Sequence, residues 1–504
     1  MRANRNRLTM LVILLLLVVS SVAAQDLASF EKRTSMRTLD NGLTVIILER
    51  HDAPVFAYAT VVNAGSAQEI PGITGLAHMF EHMAFKGSDQ VGSKDWSAEE
   101  QALRKVEEAY AAYDRARHET RADAAKVAAL EKAWKDAIAE ADKHVQADEF
   151  SEIVDRAGGV GMNAFTASDI TAYFFSMPSN RFELWAYLES ERFRKPVFRQ
   201  FYKERDVVFE ERRMRIESSP FGRLLEQFLS ASFMAHPYGF GTGIGWPSDL
   251  HGFSASDAGE FAKKYYVPSN MVVAIVGDVN PAEAWPIIEK YFGRLPRAEQ
   301  PNELRTVEPP QTAERVVTLR ESSQPLYVEG YHRPAVSHPD NATFDVISML
   351  MSSGRTSRLY KSLVRDQKIA AVAAGFSGFP GEKYPHLFAF YGVTTPGHTP
   401  DEIATAIRAE IEKIKTEDIP AEELDSVKTR VKAGLVRQLA SNSGLALQLA
   451  TYQTMHGDWR ELFREVERLD KVTAADVKRV AAATFIEGNR TVAKIENAPK
   501  GGAK

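Results

Sequence analysis

Two stretches of this chain, 219 residues apart, follow the same course, and that repetition narrows the folds open to it. Asp257 matches Asp476, Phe261-Ala262 matches Val480-Ala481, Tyr266 matches Phe485 and Asn270 matches Asn489. In both copies a helical pattern leads through a polar turn at the asparagine into a hydrophobic strand. Chance agreement between two amphipathic helices would not also keep the turn, the strand and the spacing. A chain of 504 residues, 44% hydrophobic and 26% charged, has the material for two such units. The expected fold is therefore α+β: two similar α/β sandwich-type repeat domains, each an antiparallel-rich sheet flanked by helices. Two half-shells of this kind can enclose a chamber while chemistry is kept in one copy. At the same offset Glu204 matches Glu423, but Glu211 falls on Arg430.

The expected organisation is a leader over 1–24, a first domain over 25–296, a proline-bearing linker over 297–312, a second domain over 313–496 and a disordered tail over 497–504. In the leader, Arg2, Arg5 and Arg7 precede an apolar run from Leu8 to Val19, and small residues Ser21 to Ala24 stand just before Gln25. This is the layout of a cleavable signal peptide, the run being short for a full span, so a secreted or periplasmic protein with no stable membrane span is expected. Residues 97–147 interrupt the repeat. They hold no Pro or Gly, and Leu103, Val106, Tyr110 and Tyr113, then Val127, Leu130, Trp134 and Ile138, recur at helical spacing. A helical hairpin with its turn near His118 to Arg121 is predicted, either as a surface spacer, the favoured reading, or as a dimer contact or gate.

Net charge is −5, which gives no basic field for nucleic acid. There is no cysteine, so disulfides, thiolate ligands and a cysteine nucleophile are excluded. A bound metal must use histidine and carboxylate.

The segment Gly75 to Phe85 supplies both. His78 and His82 are one helical turn apart, so their imidazoles emerge on one face and can share a zinc ion about 2 Å from each nitrogen. Glu81 lies near that face and can reach a water there without being a ligand. Leu76, Met79, Phe80, Met83 and Phe85 make the helix largely apolar, so a merely solvated polar face is a weak alternative. His-x-x-Glu-His is the inverted form of the commoner zinc-peptidase helix. A hydrolytic zinc site needs a third ligand. In Glu204 to Glu211 two carboxylates stand seven apart on one helical face, suited to one ligand and one orienting group. Arg205, Arg212, Arg213 and Arg215 crowd the same helix, so residue types alone leave an exposed charged helix equally open.

With these residues in place the chain resembles the insulinase/pitrilysin family of metallopeptidases, in the branch that includes the mitochondrial processing peptidase. The matching stretches are Asn41-Gly42, Asn63 to Ser66, His78 to His82 with Met83 to Gly87, Gly158-Gly159, Asn163 to Thr166, Glu204 to Glu211, and Gly354 to Leu359 in the second block. The resemblance implies His78, His82 and Glu211 as ligands of one zinc per chain, Glu81 as catalytic base, Glu204 as supporting acid, and paired domains forming a clam-like chamber. It also implies a peptide added as a strand to a sheet edge near Gly159 to Thr166, with Asn163 and Ala164 as substrate-binding residues.

Two departures stand out. The gap from His82 to Glu211 exceeds the family norm, and removing 97–147 restores it, which favours Glu211 over Glu210. Active relatives also hold the substrate carbonyl with an Arg and a Tyr of the non-metal half. Arg365 stands near the expected Arg, but Ala371 or Val372 occupies the Tyr position. The expectation is a zinc endopeptidase acting on peptides or unfolded polypeptides, as a homodimer or with a related subunit that supplies the Arg/Tyr pair. The alternative is a non-catalytic, chaperone-like peptide-binding subunit.

Overall fold

The turn at Asn41-Gly42 begins the first sheet. Gly42 has φ +96°, where side chains are strained, and the Asn41 side chain donates to the carbonyls of Phe292 and Leu295. In the computed structural model, which describes residues 27–497, this turn joins β1 (Thr34–Thr38) to β2 (Thr44–Glu49). The remaining strands are β3 (Val55–Val62), β4 (Val160–Thr166), β5 (Thr171–Pro178), β6 (Met271–Gly277), β7 (Arg315–Glu321), β8 (Leu326–Arg333), β9 (Ala370–Phe379), β10 (His386–Thr394) and β11 (Arg490–Asn497). The helices that position the site and join the halves are α1 (Leu76–Met83), α2 (Trp96–Arg117), α3 (Ala124–Ala141), α4 (Phe201–Arg212), α5 (Pro220–Ser232), α6 (Ala255–Tyr265), α7 (Asn442–His456) and α8 (Ala474–Thr484). The expected leader, and the expected tail from residue 498, lie outside the described residues.

Apart from the extra edge strand β1, the two sheets share one topology. The first runs β1-β2-β6-β3-β5-β4 and the second β7-β11-β8-β10-β9. In each, one pair is parallel, β2 with β6 and β7 with β11, and the other neighbours are antiparallel. The 219-residue repeat is reproduced in atomic detail. Ser254 with Asp257, and Thr473 with Asp476, form capping boxes that start α6 and α8. The side chain of Asn270 donates to the carbonyls of Tyr265 and Asn63; that of Asn489 donates to those of Thr484 and His332. The matched asparagines thus pin each helix exit to the start of the next strand.

Each half lends a helix to the other. α5, from the first half, lies on β7 and β11, where Leu224, Phe228 and Leu229 pack with Leu326, Val328 and Ile495. α7, from the second half, lies on β3 and β6, where Leu445, Ala446 and Leu449 pack with Ile46, Val61 and Val276. A side chain at Gly330 would collide with the Phe228 ring at 2.6 Å, so the borrowed helix requires that glycine. Residues 297–312 have no regular structure but are anchored. The Glu308 carboxylate accepts from the backbone N–H groups of Met234, Ala235 and His236.

The inserted segment is a hairpin of α2 and α3. Its base packs on α4: Tyr110 and Trp134 are buried against Tyr202, at ring separations of 4.5 and 5.0 Å. Arg199, just before α4, ties the region together. It pairs with buried Glu99 of α2 and donates to the carbonyls of Lys86, Ser88 and Val91 in the segment leaving α1. Val127 and Leu130, toward the tip, are only half-buried.

Candidate metal centre

α1 is short, and its first turn is held by a buried acid. Glu69, 2% exposed, accepts the backbone N–H groups of Gly75 and Ala77 at 2.8 Å each. Burial pushes its carboxyl up to about 8. Leu76, Ala77, Met79, Phe80 and Met83 face the core, which leaves His78, Glu81 and His82 on the remaining face. That face opens on a pocket of about 1130 Å³ bounded by α1, α4 and the edge strand β4.

Across the pocket α4 contributes its carboxylates. One oxygen of Glu211 lies 3.7 Å from Nε2 of His78 and 3.7 Å from Nε2 of His82. The three ligand atoms lie within 4.8 Å of one another, the one such group among the described residues. Tetrahedral zinc with bonds near 2 Å sets its ligand atoms roughly 3.4 Å apart, so small side-chain movements complete the set. Two imidazoles and one carboxylate suit zinc and leave a position open.

The surrounding polar groups set ligand states. Burial first, then the charges of His82 and Arg215, lower His78 to about 3, which keeps it neutral as a ligand must be. Glu204 accepts from Nδ1 of His82 at 2.9 Å and from Nζ of Lys86 at 2.7 Å. The His82 bond, with Lys86 adding to it, holds Glu204 at about 2. An ionised Glu204 can only accept, so Nδ1 of His82 is the donor, and Nε2 is the ring nitrogen left facing Glu211. Burial dominates at Glu81 and raises its carboxyl, against a hydrogen bond from Thr166 of β4 at 2.7 Å.

The arginines on α4 divide by role. Arg205 and Arg212 are buried. Arg205 donates to Tyr110 and to the Phe253 carbonyl, and Arg212 pairs with both oxygens of Glu226. α4 is therefore a packed helix with its carboxylates turned to the pocket, and the open charged-helix reading falls. Glu210 pairs with Arg213 outside the ligand group.

Asn163 and Ala164 lie on β4, along the pocket, with Asn163 exposed. Arg365 is not brought to this pocket. It is exposed and paired with its neighbour Asp366, and every residue lining the pocket falls between His78 and Ile244. In the second half Glu423 binds Arg358, and Arg430 binds the Ser353 carbonyl and Thr356. Thr166, Lys86, Glu69 and Arg215 were not assigned from sequence. Lys86 follows His82, and Arg215 follows Glu211, by one helical turn, the signal that could have found them.

Fold and site define a two-half zinc-peptidase scaffold, and comparison with known proteins agrees. Residues 44–140 match the family model of insulinase (peptidase family M16), and residues 252–431 match that of the peptidase M16 inactive domain. The chain belongs to the insulinase family. It is 28% identical to a zinc protease, PqqE, of Helicobacter pylori over 91% of this chain and 93% of that one. It is 22% identical to a probable mitochondrial-processing peptidase subunit beta of Arabidopsis thaliana, over 89% of this chain and 75% of that one. The crystal structure of a protease from Helicobacter pylori superposes with a TM-score of 0.77 at 26% identity, covering 92% of this chain and 99% of that one.

Proposed function

We propose that this chain is an exported zinc metalloendopeptidase. The observation that carries the reading is the meeting of His78, His82 and Glu211 at one point of a pocket, with Glu81 beside them and the edge strand β4 along one wall. His78, His82 and Glu211 hold one zinc ion. When bound, that ion supplies Lewis acidity at the scissile carbonyl and acidifies water. Glu81, its carboxyl raised by burial, takes the proton of the attacking water and delivers it to the leaving amine. Thr166 fixes Glu81 against the strand on which a substrate would add. A peptide pairing with β4 at Asn163 and Ala164 is held by its backbone, so peptides and unfolded polypeptides are the substrate class. Glu204 orients His82.

The basic residues and apolar run of the first 24 residues support export to the periplasm or beyond the cell. Among the described residues no helix is long and apolar enough to cross a membrane. A second related chain, as homodimer or heterodimer, closes the open pocket into a chamber. A second reading, a non-catalytic peptide-binding subunit, draws on the absence of Arg365 from the pocket. Purified protein decides between them. The enzyme reading expects about one zinc per chain, lost in His78→Ala, and peptide hydrolysis abolished by Glu81→Gln. Peptide binding with neither zinc nor turnover would establish the second reading.

A further inference from the structure

The metal pocket holds one arginine, and it belongs to the metal half. Arg215 sits one helical turn beyond Glu211, in the π-turn Arg213–Glu217 that links α4 to α5. π-Turns of this kind are frequent at functional sites. Its NH1 group forms an ion pair with Oε1 of Glu211 at 2.8 Å, while the other carboxylate oxygen, Oε2, lies 3.7 Å from each histidine. The side chain lines the pocket and is 65% exposed, and a guanidinium carries five donors, so one contact does not exhaust it. Among the described residues no other arginine or lysine lines that pocket, while Glu81, Glu210 and Asp206 do.

We propose that Arg215 is a catalytic residue of this chain: anchored on Glu211, it donates hydrogen bonds to the scissile carbonyl oxygen as negative charge develops there. A preorganised cationic donor in a partly desolvated pocket acts on the transition state more than on the bound peptide. Arg215 then does within the metal half what Arg365 and the missing tyrosine cannot do from the other half, and a partner chain contributes enclosure rather than charge. The inference rests on the peptidase reading.

Its test compares wild type, Arg215→Ala and Arg215→Lys at saturating zinc. The expected result is a fall in kcat on the order of 100-fold in Arg215→Ala with KM little changed, and partial recovery in Arg215→Lys. The affinity of a phosphinic peptide, whose anionic oxygen mimics the charged intermediate, should fall by a similar factor. Binding of the parent peptide to Glu81→Gln should be unaffected by adding Arg215→Ala. Chelator competition reads zinc retention separately. A variant that loses zinc in proportion to activity, or that keeps kcat and phosphinic-peptide affinity within about threefold, overturns the inference. A wild type without zinc-dependent hydrolysis overturns the peptidase reading and this inference with it.

Discussion

Lys86 reaches Oε2 of Glu204 while His82 holds Oε1, so the carboxylate is clamped from both sides. Groups in this outer position typically contribute 10- to 100-fold in metal affinity. Lys86→Met should weaken zinc retention by about 10-fold in chelator competition, with Lys86→Arg close to wild type. Equal retention in all three would remove Lys86 from the site. Glu69 carries a pH dependence. Its carboxyl titrates near 4.5 in the unfolded chain and at about 8 in the fold, so the folded state holds the extra proton. The resulting stabilisation is whole below about pH 4.5 and is lost as pH rises through about 8. Zinc-free wild type should lose stability against Glu69→Gln over this window by on the order of 1–4 kcal/mol, measured by urea unfolding at several pH values. Parallel curves would contradict it. His78 and His82 were legible in the sequence because helix spacing alone sets them on one face. Glu211 was not, because four arginines crowd that stretch of sequence, and only packing shows that Arg205 and Arg212 are turned inward.

At the scale of elements, the hairpin and α4 act together. The predicted helices and their turn match α2 and α3, because apolar spacing is visible in any helix. What they pack against was not visible: Tyr202 and Arg205 lie about a hundred residues away, and no local pattern marks a partner that distant. Trp134 stands between Tyr110, Tyr113 and Tyr202. Trp134→Ala should destabilise the protein by about 3–5 kcal/mol and weaken zinc retention, because α4 loses its backing while Glu204 and Glu211 ride on it. Replacing the half-buried tip, from about 118 to 130, with a short glycine-serine loop should leave zinc content and stability close to wild type. A Trp134→Ala protein with wild-type zinc affinity would uncouple hairpin from site.

For the whole molecule, the exchange of α5 and α7 makes the halves interdependent. The repeat pointed to two like units, and the shared strand order bears that out. It did not reveal which sheet each helix covers, because an apolar helix face carries no label for its partner. Expressed alone, residues 27–312 would expose the apolar faces of β3 and β6 that α7 covers. That fragment should aggregate or lack a cooperative transition, and co-expression with residues 313–497 should restore a soluble complex. A stable isolated fragment with native zinc affinity would refute this.

A unit that lends a helix and borrows its counterpart has the geometry of a domain-swapped dimer. Spliced through residues 297–312, the two subunits inherit a shared core but lose the obligation to stay alike. Two identical chains would carry two metal sites or none. A fused pair can keep His78, His82 and Glu211 in one copy and let Arg358 and Glu423 settle the matching place in the other. Covalent linkage thus lets the two halves differ within one molecule, so that the candidate site stands in one of them alone among the described residues.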